Sequence, residues 1–269
     1  MFRTAILLPR GAAMTLDGLL RGNAWMMRVL RTVRDAGIPD AWVGAWPGVP
    51  WEAKNQAAVH TWYTRKERWP GVRVVKDWVR WHDDYADPLS SLSRRRAVVQ
   101  AALRKALDEH AGVIRLVSMC AGDGGDVLPV LREHPASVRT RPLLIELDPA
   151  LAARAGEHAV VADAGVTDSY LAHGRAHILL ACGVFGNISA DDARRTIATL
   201  KGLVEPGATV IWTRAHDGPS REIRGMFAAQ GFAEVSFVAP ADAPFRVGVS
   251  RATTTGPRPA AGVRLFRFR

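Results

Sequence analysis

The stretch from Val113 to Asp126 constrains this chain more than any other. Val113-Ile114-Arg115-Leu116-Val117-Ser118-Met119 is a short apolar run with strand character, and it passes through Cys120-Ala121-Gly122-Asp123-Gly124-Gly125-Asp126 into Val127 to Arg132, which can begin a helix. Glycines at 122 and 124 let the backbone turn tightly and let a ligand approach it, while the first amides of the helix face that ligand. By itself the turn is equally a plain strand-to-helix corner, so its meaning depends on the segments around it.

Those segments alternate between strand and helix. A helix over Leu92 to Asp108 precedes the run, with Leu92, Val99, Leu103, Ala106 and Leu107 at helical spacing. After the turn, Leu143 to Leu147 reads as strand, Pro149 to Ala155 as helix, and Ala159 to Ala162 and Ala176 to Ala181 as strands. Asp191 to Val204 then reads as helix, Ala208 to Thr213 as strand, Ser220 to Gln230 as helix and Ala233 to Val238 as strand, before a β-rich tail ending in Val263 to Phe268. Such a βαβ series predicts an α/β fold, a parallel sheet covered by helices on both faces, with ligands at the carboxyl ends of its strands.

Two of those strand ends carry acids. Glu146 lies about twenty residues beyond the glycines, where a carboxylate can accept hydrogen bonds from both hydroxyls of a ribose. Asp148 is better suited to cap the next helix, with Pro149 in its first turn. At the third strand end, Asp163-Ala164 offers a carboxylate for an adenine amino group and an amide for a ring nitrogen. Each acid alone could be a solvated loop residue; their order along the chain favours a nucleoside site.

In these segments the chain resembles the class I S-adenosylmethionine-dependent methyltransferases, over about residues 81–269. The likeness rests on the glycine turn, Glu146-Leu147-Asp148-Pro149, Asp163-Ala164, Ala181-Cys182-Gly183-Val184-Phe185 and Glu205-Pro206-Gly207, in the family's order. It implies a Rossmann-like, doubly wound, mostly parallel seven-stranded sheet. It also implies S-adenosyl-L-methionine as cofactor, with Cys120, Ala121, Gly122, Asp123, Gly124, Asp126, Glu146, Leu147, Asp163, Ala164, Cys182 and Gly183 around it. Family members commonly carry an acid where Cys120 stands and a third glycine where Asp126 stands. Asp126 or Asp123 would then take the cofactor's ammonium. A nicotinamide-dependent dehydrogenase is the nearest competitor, since it too joins a glycine turn to a ribose acid; the Asp-Ala pair and the Glu-Pro-Gly turn favour the methyltransferase.

Methyl transfer needs alignment and desolvation more than covalent help. Candidates to orient an acceptor or take its proton are His82 and Tyr85, in a lid segment over residues 81–96, and His216 after the fifth strand. Each has a bland reading as a solvated loop residue. Cys182 is read as a small packed residue rather than a nucleophile, because no base lies near it in sequence. The acceptor pocket is expected from the lid, the loop after strand four and the segment Pro240 to Arg251.

Residues 1–80 differ in character, with Trp25, Trp42, Trp46, Trp51, Trp62, Trp69 and Trp78 among prolines, and predict a small α+β region. Trp25 to Ala45 and Lys54 to Tyr63 resemble two pieces of a bacterial nucleotidyltransferase-like family. The intervening Trp46 to Ala53 lacks the metal-binding aspartates, so no metal is expected and the region reads as a remnant that caps the pocket or joins a homodimer.

The formal charge of +10 invites a nucleic-acid partner, yet only five of the 36 basic residues are lysine and the arginines are scattered. The Asn/Asp-Pro-Pro-aromatic tetrapeptide of amino-methylating nucleic-acid enzymes is absent; Gly183-Val184-Phe185-Gly186-Asn187 stands in its place. A small-molecule acceptor is therefore expected, with an RNA or protein methyltransferase, or a non-catalytic cofactor-binding module, as alternatives. Two cysteines and no long apolar run fit a cytoplasmic protein without a membrane span.

Overall fold

The computed structural model describes Tyr85, Asp87, residues 90–215 and residues 220–268. The chain divides into two compact units, Met1–Asp83 and Asp84–Arg269, and every described residue lies in the second. His82, His216 and the two nucleotidyltransferase-like pieces lie outside the described residues.

Helix α1 (Ser91–Asp108) leads into β1 (Ile114–Met119), followed by α2 (Leu128–Glu133), β2 (Thr140–Glu146), α3 (Pro149–Ala155) and β3 (Ala159–Val161). Then come α4 (Asp168–Leu171), β4 (Ala176–Ala181), α5 (Ala190–Leu203), β5 (Val204–Ala215), α6 (Ser220–Ala229), β6 (Phe232–Val238) and β7 (Phe245–Ala252). The seven strands form one sheet in the order β3-β2-β1-β4-β5-β7-β6. β1 to β5 are parallel to one another, and β7 lies antiparallel between β5 and β6. The strand order reverses between β1 and β4, which opens a crevice at their carboxyl ends.

Local signals set the helix starts. The Ser90 hydroxyl accepts the Ser93 amide ahead of α1, and the Asp148 carboxylate accepts the amides of Ala150 and Leu151 ahead of α3, whose first turn holds Pro149. Central strands are buried on both sides, as a sheet between two helix layers requires. On one face Val99, Leu103 and Leu107 of α1 pack against Leu116, Ile178, Leu180, Ile211 and Val249. On the other, Ile197 and Leu200 of α5 and Phe227 of α6 cover Val117, Leu179, Val210 and Trp212.

Three expectations change. The segment Pro240 to Arg251 is not mainly a pocket loop: residues from Phe245 onward form β7, with Phe245, Val247 and Val249 in the α1-side core. Glu205-Pro206-Gly207 is not a turn ahead of strand five but an irregularity inside β5, between the pairs Ala176–Val204 and Ile178–Thr209, with Gly207 at φ 79°. The Arg115 guanidinium meets Glu205 there at 2.6 Å. Val263 to Phe268 is not a strand either; it contributes one isolated bridge, Val166–Arg264. Its consecutive residues Leu265 and Phe266 are both buried, a spacing that a half-exposed strand cannot produce. Among the described residues, no helix is long and apolar enough to cross a membrane.

Candidate functional site

The carboxyl ends of β1, β2 and β3 bring the glycine turn, Glu146 and the Asp163 loop together. The β1 ladder ends at Met119, and the chain reverses through three left-handed residues, Cys120 (φ 50°), Gly122 (φ 59°) and Gly124 (φ 75°). Glycine takes this conformation without strain, while an L side chain at Cys120 costs about 1–2 kcal/mol. A Cβ at Gly124 would lie 2.5 Å from Leu128 Cδ1, so the missing side chain also lets the turn close onto α2.

Glu146 is fixed by the backbone. Its Oε2 accepts the Gly122 amide at 2.8 Å and its Oε1 accepts the Asp148 amide at 2.9 Å. A carboxylate has about four lone-pair sites, so each oxygen keeps capacity for one further donor. Leu147 beside it is 66% exposed, an apolar surface with no cover in the described unit. At the neighbouring strand end, Asp163 Oδ1 accepts the Gly165 amide at 2.7 Å and Oδ2 meets Arg264 Nη1 at 2.5 Å. Ala164 is buried, and its carbonyl accepts the Tyr170 hydroxyl.

Cys120 stands among these acids. Burial pushes its thiol well above the ordinary range, and the negative charges of Glu146 and Asp163 push the same way. A neutral thiol here spares the crevice a third carboxylate. Cys182, at the end of β4, is likewise driven upward by burial and by Asp126, which favours the protonated thiol. The loop after it is held firmly: Gly183 N–H donates to Thr213 Oγ1 at 2.8 Å, and Arg214 Nη1 donates to the Phe185 carbonyl at 2.6 Å.

Asp123 and Asp126 already have cationic neighbours on α1, which the sequence did not reveal. Arg95, almost fully buried, approaches Asp126 Oδ2 at 3.5 Å; Arg96 lies 3.5 Å from Asp123 Oδ1 and 3.8 Å from Asp126 Oδ1. Gln100 adds a bond to the Gly125 carbonyl at 2.8 Å. A Cβ on Gly125 would meet Arg96 Nη2 at 2.4 Å, so the guanidinium lies directly over the turn. The only hint in sequence was the run Arg94-Arg95-Arg96; the register of α1 on the turn is a tertiary fact.

Tyr85 joins this cluster. The Arg96 guanidinium sits 3.5 Å from its ring centroid and Arg95 reaches its hydroxyl. Burial raises the phenol far above its ordinary range despite the arginines, which favours the protonated hydroxyl within this cluster.

Solved structures of other proteins share this architecture. The CurJ carbon methyltransferase is similar over 85% of this chain and 80% of that chain, at 12% identity and a TM-score of 0.50. The fold is that of a class I methyltransferase. Also similar are a magnesium protoporphyrin IX methyltransferase from Synechocystis PCC 6803 with bound S-adenosylmethionine (13% identity, 77% of this chain and 99% of that chain, TM-score 0.47) and a TehB-like methyltransferase from Corynebacterium glutamicum (13%, 76% and 100%, TM-score 0.45). No family profile and no curated protein sequence matches the chain, and nothing in these comparisons supports the nucleotidyltransferase-like resemblance of the first 80 residues.

Proposed function

We propose that the chain is an S-adenosylmethionine-dependent methyltransferase acting on a small-molecule acceptor. The observation that carries this reading is the Glu146 carboxylate, held by the Gly122 and Asp148 amides at the strand ends beside a turn of left-handed residues. Such a carboxylate suits the two hydroxyls of a ribose, exposed Leu147 suits one face of a purine, and Asp163 suits its amino group.

The amino-acid end of the cofactor would lie over Gly122 and Gly124. There the arginines of α1 alternate with Asp123 and Asp126, a charge pattern that matches a carboxylate and an ammonium on one carbon. The bound sulfonium supplies the activated methyl group. The chain's own part is to align the acceptor, exclude water and keep nearby groups neutral, as the Cys120, Cys182 and Tyr85 protons do. The loop after β4 and the N-terminal end of α1 border the acceptor side.

A small acceptor is favoured by how the positive charge is used. Most described arginines are held by partners within the unit, among them Arg94 by Asp242, Arg104 by Glu133, Arg115 by Glu205, Arg224 by Glu234 and Arg251 by Glu109. Arginines so engaged are poor providers of the phosphate contacts that RNA binding needs. A reducing cytoplasm suits the two free thiols.

The test is methyl transfer from radiolabelled S-adenosylmethionine into a metabolite extract and into total RNA, after calorimetry with S-adenosylhomocysteine and with a nicotinamide dinucleotide. Label in the metabolite fraction, at a rate indifferent to salt, is expected. Label confined to RNA and lost at moderate salt overturns the acceptor, and binding of the dinucleotide alone overturns the methyltransferase.

A further inference from the structure

We infer that the segment 253–268 forms a wall of the nucleoside end of the site, and that Arg264 is a positioning residue which holds Asp163 for the 6-amino group of a purine. This role rests on the cofactor reading and deepens it. After β7 the chain crosses the unit and docks on the loop after β3. Gly256 N–H bonds the Lys201 carbonyl at 2.9 Å, Thr167 N–H bonds the Val263 carbonyl at 3.1 Å, and Leu265 N–H bonds the Gly165 carbonyl at 2.8 Å. The hydroxyl of Thr196 and the guanidinium of Arg195, both on α5, reach the Leu265 carbonyl at 3.2 and 3.1 Å. Leu265 and Phe266 are 0% and 4% exposed. Leu265 and Phe266 thus belong to the core, and the backbone is anchored on both sides of Arg264.

Position 165 has been left open for it. A Cβ on Gly165 would lie 2.6 Å from the Phe266 carbonyl oxygen, 2.9 Å from Asp163 Oδ1 and 3.0 Å from Arg264 Nη1. Without that side chain, the Gly165 amide clamps one oxygen of Asp163 and Arg264 clamps the other. Both bonds restrain rotation of the carboxylate while leaving each oxygen lone-pair capacity for a further donor. A surface ion pair contributes little to stability, so its consequence is expected in ligand choice.

Calorimetry of S-adenosylhomocysteine against its 6-oxo analogue, with wild-type protein, Arg264→Ala, Arg264→Gln and Arg264→Lys, tests this. Wild type should prefer the 6-amino ligand by roughly tenfold or more, since a fixed acceptor meets an amine in one case and an oxygen in the other. In Arg264→Ala and Arg264→Gln that preference should shrink to about threefold or less through weaker binding of the 6-amino ligand alone, with Arg264→Lys intermediate because it keeps a cation. Unliganded melting temperatures should be unchanged. A parallel loss for both ligands, or a wild type that does not discriminate, overturns the role of Arg264. Failure of wild type to bind either nucleoside instead removes the cofactor reading and this inference with it.

Discussion

Replacing Glu146 by glutamine keeps the shape of the side chain and changes its chemistry at two known contacts. The carboxylate accepts the amides of Gly122 and Asp148, one on each oxygen. Glutamine can accept one of them, but its NH₂ must then face the other N–H, so one charge-assisted bond becomes a donor-donor contact. Hydrogen bonds to charged groups are worth about 1.5–3 kcal/mol net. Glu146 is only half-buried, so water can partly satisfy the released amide, and we expect a stability loss at the low end, about 1–1.5 kcal/mol. For a unit of this size that corresponds to a melting temperature lower by roughly 2–6 °C. Cofactor affinity should fall further, because the same atoms would also accept from the ribose hydroxyls: losing one such bond is worth about tenfold to a hundredfold in Kd. Differential scanning calorimetry and titration with S-adenosylhomocysteine read the two effects separately. A variant whose melting temperature and affinity both equal wild type would refute the premise that this carboxylate organises the turn and meets the ligand.

Gly248→Ala probes the core behind the site. The added Cβ would lie 2.2 Å from Trp212 Cε2, and Trp212 is hemmed in by Phe185, Phe227 and Phe237, so we expect a cost near the upper end of overpacking, about 3 kcal/mol. Thermal unfolding should show a decrease of roughly 6–12 °C. The acid side of the stability profile should report on His177, whose imidazole is held below its ordinary value of 6.5 by burial, then by the Arg115 charge and His110, with Glu205 opposing. Its Nδ1 accepts the Arg115 amide at 3.0 Å and so must be unprotonated in the fold. Because the folded value is depressed, this stability is present above pH 6.5 and is lost as pH falls through the lower folded value. Melting curves across that range should slope less steeply for His177→Gln than for wild type.

Elements with local signals were readable from sequence. Helix α3 spans Pro149–Ala155 as expected, from the start that Asp148 and Pro149 mark, and β4 coincides with the expected strand Ala176 to Ala181. Glu146 was legible for the same reason, as an acid at a strand end in fixed order after a glycine turn. β7 was not, although Phe245, Val247 and Val249 alternate: the segment Pro240 to Arg251 was expected in the acceptor pocket, and the antiparallel insertion between β5 and β6 is a tertiary matter. The pairing of the site acids with their cations was hidden, though the run Arg94-Arg95-Arg96 is visible in the sequence. Arg264 lies 101 positions from Asp163, and Arg96 lies 27 from Asp123, so neither pair falls within one strand, turn or helix of the chain.

The place of β7 also dictates an order of assembly. On a chain emerging from the ribosome, β6 is made before β7, yet β6 draws its ladder bonds from β7. Until residues 245–252 have been synthesised, β5 therefore presents an open edge and β6 has nothing to pair with. β6 reaches the sheet only through β7, so Phe232, on β6, is sealed into the core only once β7 has paired with both neighbours. A nascent chain stalled short of β7 therefore carries an unpaired strand edge next to the half of the sheet that holds the glycine turn.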